Sequence, residues 1–169
     1  MGKKIIIVIV ATLAIFAGGF YFVSKGGSSV PESSLAKIEA SDVQVSPESY
    51  DIGRVLMKNG VVTREYEIKN NSENTLRLKK IVTSCMCTRA QVVVGDERTR
   101  LYAMEMNGVK NPIISFDIPA KSTAKVVVKF DPAAHGIQGA GVVDRTVWLT
   151  FVDPVGTKQV AFHGEVTLQ

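Results

Sequence analysis

The chain has 169 residues, 46% of them hydrophobic, with 20 Lys plus Arg against 16 Asp plus Glu and only two cysteines. That length suits one ordinary domain with a small addition, and two cysteines exclude a disulfide scaffold, so apolar packing must hold the fold. Three of the cations, Lys3, Lys4 and Lys25, flank one apolar run, and the rest of the chain carries 17 basic against 16 acidic side chains. Nucleic-acid binding needs clustered cations on one face, and none is present, so no nucleic acid is expected as a partner.

In chain order, the first element is Ile5 to Val23, 19 residues without a charge. At about 1.5 Å per residue such a helix nearly spans a hydrocarbon core of about 30 Å, which predicts a transmembrane signal-anchor. A cleaved signal peptide is the rival; its apolar region is usually about 7 to 15 residues long, and no A-x-A site follows Val23. Lys3, Lys4 and the terminal amine outweigh Lys25, so residues 1–4 are expected in the cytoplasm and everything beyond the helix outside it. The expectation is a single-pass protein of the cell membrane, attached through residues 5–23, with Phe20, Tyr21 and Phe22 at the outer interface. Residues 24–41, rich in Ser, Gly and charge, read as a flexible linker.

Beyond Asp42 the texture changes to short β-branched runs separated by turn signals, the mark of an all-β domain over residues 42–169. Runs fall at Val43 to Val45, Tyr50 to Met57, Val61 to Ile68, Thr75 to Val82, Gln91 to Val94, Leu101 to Met106, Ile113 to Ile118, Ala124 to Phe130, Thr146 to Val152 and Gln159 to Leu168. Asn107-Gly108 is a tight-hairpin signal, and Asp153-Pro154-Val155-Gly156 turns the chain between the last two runs. Without a convincing amphipathic helix among them, these runs predict an antiparallel β-sandwich. Trp148 lies with Thr146 and Thr150 on one side of its run and Val147, Leu149 and Phe151 on the other; core packing is its expected role.

Several segments taken in this order resemble a known family. They are Val43-Gln44-Val45, Tyr50-Asp51-Ile52-Gly53, Tyr66-Glu67-Ile68-Lys69-Asn70, Ser84-Cys85-Met86-Cys87-Thr88, Ile118-Pro119-Ala120, Val126 to Pro132 and Phe162-His163-Gly164-Glu165-Val166. Together they resemble the bacterial immunoglobulin-like family called domain of unknown function 1573, over roughly residues 42 to 168. The resemblance implies an immunoglobulin-like sandwich related to major-sperm-protein and ASH-type modules, exported or membrane-attached, and brings no enzymatic activity with it. Family members commonly carry Gly where this chain has Met86, which questions any geometry needing positive φ there. The segment from Gly95 to Pro112 exceeds the family pattern and is expected to form an extra hairpin.

Cys85 and Cys87 are the chemically distinctive pair. On a regular strand over residues 80–90 both sulfurs face one side, with Cα atoms about 6.5 to 7 Å apart. A disulfide prefers about 5.5 to 6 Å, so closing one needs a local bend, and a bent, reducible pair suits a redox site. No general base is evident nearby, and no C-x-x-C opens a helix. Two small buried side chains, free or joined to one another, are the structural alternative. For a metal, Cys85 and Cys87 with Met57, Met86, Met104, Met106, His135 and His163 give soft ligands of the kind that hold Cu(I). The sequence does not gather them into a constellation, and nothing pairs with C-x-C at zinc-finger spacing.

No G-x-S-x-G, phosphate-binding Gly loop or H-E-x-x-H occurs. Gly136, Gly139 and Gly141 lie between two strands, where a dinucleotide cradle would need a helix. Glu65, Glu67, Asp144 and Arg145 read as solvated surface. The expectation is therefore no catalysis and no resident cofactor. The chain reads as a membrane-anchored extracytoplasmic domain that binds or scaffolds an envelope protein or glycan. The alternative is a thiol-redox or copper-handling domain built on Cys85-Met86-Cys87.

Overall fold

The computed structural model describes residues 42–153 and 155–168. The expected cytoplasmic start 1–4, membrane helix 5–23 and linker 24–41 lie outside them. Among the described residues no helix is long and apolar enough to cross a membrane.

Alternation sets the strands. Along β3 (Val62–Asn70), Tyr66, Ile68 and Asn70 turn inward while Glu65, Glu67 and Lys69 face solvent. Along β8 (Thr123–Phe130), Ala124, Val126, Val128 and Phe130 are buried in the same way. The remaining strands are β1 (Val43–Ser46), β2 (Ser49–Leu56), β4 (Leu76–Thr83), β5 (Thr88–Val94), β6 (Glu97–Arg98), β7 (Phe116–Ile118), β9 (Gly141–Asp153) and β10 (Val155–Thr167). They form two five-stranded sheets, ordered β1-β3-β8-β5-β6 and β2-β10-β9-β4-β7. The inner faces share one core, in which Tyr66, Ile68, Leu76, Leu78, Ile81, Val92, Val126, Leu149, Phe151 and Phe162 are almost wholly buried. Tyr66 also ties the sheets together, its hydroxyl donating to the Ala161 carbonyl on β10 at 2.6 Å. Burial pushes its phenol well above the ordinary range.

The two-sheet sandwich agrees with the all-β expectation, with four differences. The pairing is not wholly antiparallel, because β2 lies parallel to β10, with Phe162 opposite Tyr50 and Val166 opposite Val55. These strands are far apart in the chain and joined by no hairpin, so nothing forces them to run in opposite directions. The register slips between His163 and Glu165, at Gly164, where a Cβ would stand 2.6 Å from the Gly53 carbonyl oxygen and 2.5 Å from Ile52 Cγ1.

Trp148 faces outward and is 37% exposed, because Val147, Leu149 and Phe151 take the inner face of β9. Its side of the strand is the outer face of the second sheet.

Residues 80–90 are not one strand: β4 ends at Thr83, β5 begins at Thr88, and Ser84 to Cys87 carry the chain from one sheet to the other.

Leu101 to Met106 is not a strand either, and Ile113 to Ile118 contracts to β7. That region straps the open side of the sandwich. Tyr102 bridges to Ala90 in the first sheet, and the Ile114 amide donates to the Lys79 carbonyl in the second. Between these points Asn111 Nδ2 donates to the carbonyls of Ile81 and Ala103, and Lys80 Nζ lies 2.7 Å from Glu105 Oε2. The expected turn is present at its tip, with Asn107 and Gly108 both at positive φ and Val109 donating to the Met106 carbonyl. A crossing segment satisfies its backbone groups one by one instead of in a ladder, which is why alternation misjudged it.

Candidate functional site

The pairing pattern brings together two crossings between the sheets. Strand β4 pairs with β9 in one sheet and β5 pairs with β8 in the other, so the β4 to β5 corner and the β8 to β9 connection emerge side by side. The Asp131 amide donates to the Cys87 carbonyl at 2.9 Å, and the Ser84 amide donates to the Thr146 carbonyl at 2.9 Å. The first contact fixes the 131–140 segment to the corner, and the second fixes the corner to β9.

Within the corner, Cys85 to Thr88 form a tight turn closed by the Thr88 amide donating to the Cys85 carbonyl at 3.1 Å. The buried Thr83 hydroxyl shares its hydrogen between the carbonyls of Cys85 and Thr88, at 2.9 and 3.0 Å. The two threonines of Thr83-Ser84-Cys85-Met86-Cys87-Thr88 thus bracket the turn. Met86 has no positive φ, since only Asn107 and Lys121 have it among the described non-glycine residues. The corner therefore accepts Met without backbone strain.

The turn brings the Cα atoms of Cys85 and Cys87 to 5.3 Å, and their sulfurs are joined in a disulfide. This separation is shorter than a regular strand would give, and the turn supplies the bend. Cys87 is buried and Cys85 half-buried. Each sulfur has nitrogen partners. The Cys87 amide points at Cys85 Sγ at 3.2 Å, His135 Nε2 also lies 3.2 Å from Cys85 Sγ, and Arg145 Nε donates to Cys87 Sγ at 3.3 Å.

His135 stands at the head of a 3-10 turn, Gly136–Gly139, on the 131–140 segment. The Asp131 side chain accepts from the Ala133 amide at 2.9 Å, and the Ala133 carbonyl accepts from the Gly136 amide at 2.9 Å. Gly139 leaves room for the imidazole stem, since a Cβ there would sit 3.0 Å from His135 Cβ. Gly139 therefore makes space for the His135 side chain, while Gly136 takes the positive φ that opens the turn.

Among the described Cys, His, Asp and Glu residues, His135 alone joins the cysteines: Cys85 Sγ, Cys87 Sγ and a His135 ring nitrogen lie within 4.8 Å of one another. His163 sits elsewhere, with Nδ1 3.5 Å from Ser49 Oγ, and Met57 packs against the core. Arg145, read from sequence as surface charge, turns out to be a sulfur partner. No local signal marks His135 or Arg145, which lie 50 and 58 residues from their sulfurs. Only the β5–β8 and β4–β9 pairings place them there.

Beside the disulfide lies a groove of about 410 Å³ lined by Val61, Met86, Cys87, Leu101 and Ala134, with Arg89, Lys129 and Asp131 at its polar margin. Val61 is 57% exposed and Met86 51%.

The family described as "Protein of unknown function (DUF1573)" matches residues 43–95, so the resemblance read from the Ser-Cys-x-Cys-Thr segment holds over that stretch. The match ends before β6 and the strap. No curated protein matches the chain. A solved protein of unknown function from Porphyromonas gingivalis W83 is similar in structure, with a TM-score of 0.52 and 16% identity over 76% of this chain and 49% of that one. This likeness shows the fold alone. More distant are the YadV chaperone (TM-score 0.45, 11% identity, 74% of this chain and 52% of that one) and the ASH / PapD-like domain of human CEP192 (0.43, 14%, 76% and 87%). The chain spans about half the length of the Porphyromonas protein and of the YadV chaperone.

Proposed function

We propose that the chain is a non-catalytic binding module of the cell envelope, held to the membrane by residues 5–23 with its sandwich outside the cytoplasm. The observation that carries the binding role is the groove at the sulfur end. Val61, Met86 and Leu101 all remain exposed there around one mostly apolar concavity, with Arg89 and Lys129 beside it. Exposed apolar side chains gathered in a concave patch favour a protein partner over water, and the apolar lining favours a peptide segment over a glycan. The two cations against the single Asp131 favour a segment with an apolar anchor beside acidic side chains.

The test uses the full chain in its own membranes, with a photo-crosslinking side chain at Met86 or, as a control, at exposed Glu67 on the outer face of β3. The chain should remain in carbonate-washed membranes, and position 86 should give one defined adduct that position 67 does not. L101D should remove that adduct. Identical patterns from both positions would end the groove reading, and a mature form in the supernatant starting near residues 26–30 would end the anchor.

A further inference from the structure

We infer that the reduced corner is a binding site for Cu(I), held by Cys85 Sγ, Cys87 Sγ and His135 Nε2. This does not depend on the partner-binding reading, and either can fail alone. The three donor atoms already lie within 4.8 Å of one another. Donors bound at about 2.0 to 2.3 Å in a plane around one ion stand roughly 3.5 to 4 Å apart. The imidazole nitrogen is 3.2 Å from Cys85 Sγ, so the loop needs only a small outward adjustment, while the two sulfurs, bonded to one another in the oxidised corner, reach the same spacing only once reduction has parted them. The site is also reachable, since His135 is exposed and Cys85 half-buried.

The donor set selects the ion. Two thiolates and one imidazole are soft ligands, and three of them satisfy Cu(I). A closed zinc site takes four ligands, and among the described residues no further Cys, His, Asp or Glu joins the cluster, so zinc would need a water in its fourth position and competition with zinc separates the two ions. Charge also balances: two thiolates and one Cu(I) leave a single negative charge, with the Arg145 guanidinium 3.3 Å from Cys87 Sγ. The Cys87 amide directed at Cys85 Sγ adds a second donor to the sulfurs. Such outer contacts orient ligands and stabilise their anionic form.

The disulfide gates the site. A dithiol reductant gives two electrons and two protons to the Cys85–Cys87 bond and becomes a disulfide itself. The two thiols then lose their protons as Cu(I) binds, and the neutral imidazole gives its Nε2 lone pair with its proton on Nδ1. Exchange with a disulfide-bearing partner closes the sulfurs again: that disulfide takes the two electrons of the Cys85 and Cys87 thiolates, picks up two protons from solvent and leaves as a dithiol, while the Cu(I) ion is released.

The test is an anaerobic titration of the full chain, reduced and oxidised, with Cu(I) presented as its bicinchoninate complex. The reduced chain should withdraw one Cu(I) per chain and the oxidised chain none. H135A, a change in an exposed loop, should weaken retention about tenfold or more. No withdrawal by the reduced chain, equal withdrawal by the oxidised chain, unchanged affinity in H135A, or displacement of Cu(I) by equimolar Zn(II) would each overturn the inference. The oxidised arm needs no substitution, so the outcome does not hang on how a variant folds.

Discussion

Gly164 shows how one residue can be fixed by an approach between backbones. The parallel meeting of β2 and β10 leaves no room for a methyl there, because the obstructing Gly53 carbonyl is backbone and cannot swing aside. G164A is therefore expected to lower stability by about 1–3 kcal/mol, the usual cost of overpacking. Thermal or urea unfolding of the variant measures it, and an unchanged midpoint would mean that the two strands separate freely. The sequence flagged Phe162-His163-Gly164 only as part of a resemblance, whereas the physical reason lies in a strand more than a hundred residues earlier. Asn70 is similar: its amide donates to the carbonyls of Asn74, Ile118 and Pro119, and its oxygen accepts from Ser72. The sequence marked Asn70 only as the end of a resembling segment, and neither its burial nor its partners, two of them nearly fifty residues away, could be read there.

Among the elements, the strap over residues 99–115 depends most on charge. Glu105 is held below the ordinary carboxylate range first by the hydrogen bond from Lys80; burial opposes this as the next largest effect, and the Asn111 amide adds a lesser lowering. A carboxylate with a lowered folded pKa contributes in full above its unfolded value, and its contribution is lost as the pH falls through the folded one. Acidification below the ordinary carboxylate range should therefore loosen the strap before the sheets. Amide exchange read across residues 103–114 would show protection falling there first, and E105Q should make that protection insensitive to acid. Equal acid sensitivity in wild type and E105Q would remove Glu105 from the account. Regular alternation made β3, β8 and the β9–β10 hairpin legible from sequence. The strap was not, because its order comes from single contacts to both sheets, and neither did Cys85 and Cys87 announce that their segment turns between sheets.

For the whole molecule, the disulfide contributes little to holding the sandwich together. It joins residues only two apart, and closing so short a loop restrains the unfolded chain by about 1.5 kcal/mol, compared with about 3 for a 15-residue loop. Reduction should lower the melting temperature by only about 5 °C and leave the β-sheet circular dichroism of the folded state intact. Collapse of that signal on reduction would show instead that the bond is a structural staple. The fold class was legible because alternation and turns are local, while the site was not, because its four side chains come from three places in the chain. During synthesis Cys87 leaves the ribosome 58 residues ahead of Arg145, a delay of roughly 3 to 12 s at ordinary elongation rates of about 5–20 residues per second. For that interval the cysteines lack the neighbours that the folded corner gives them. They gain their imidazole and guanidinium neighbours only when β8 and β9 have docked, so the chemistry of the corner belongs to the finished sandwich and not to the hexapeptide that contains it.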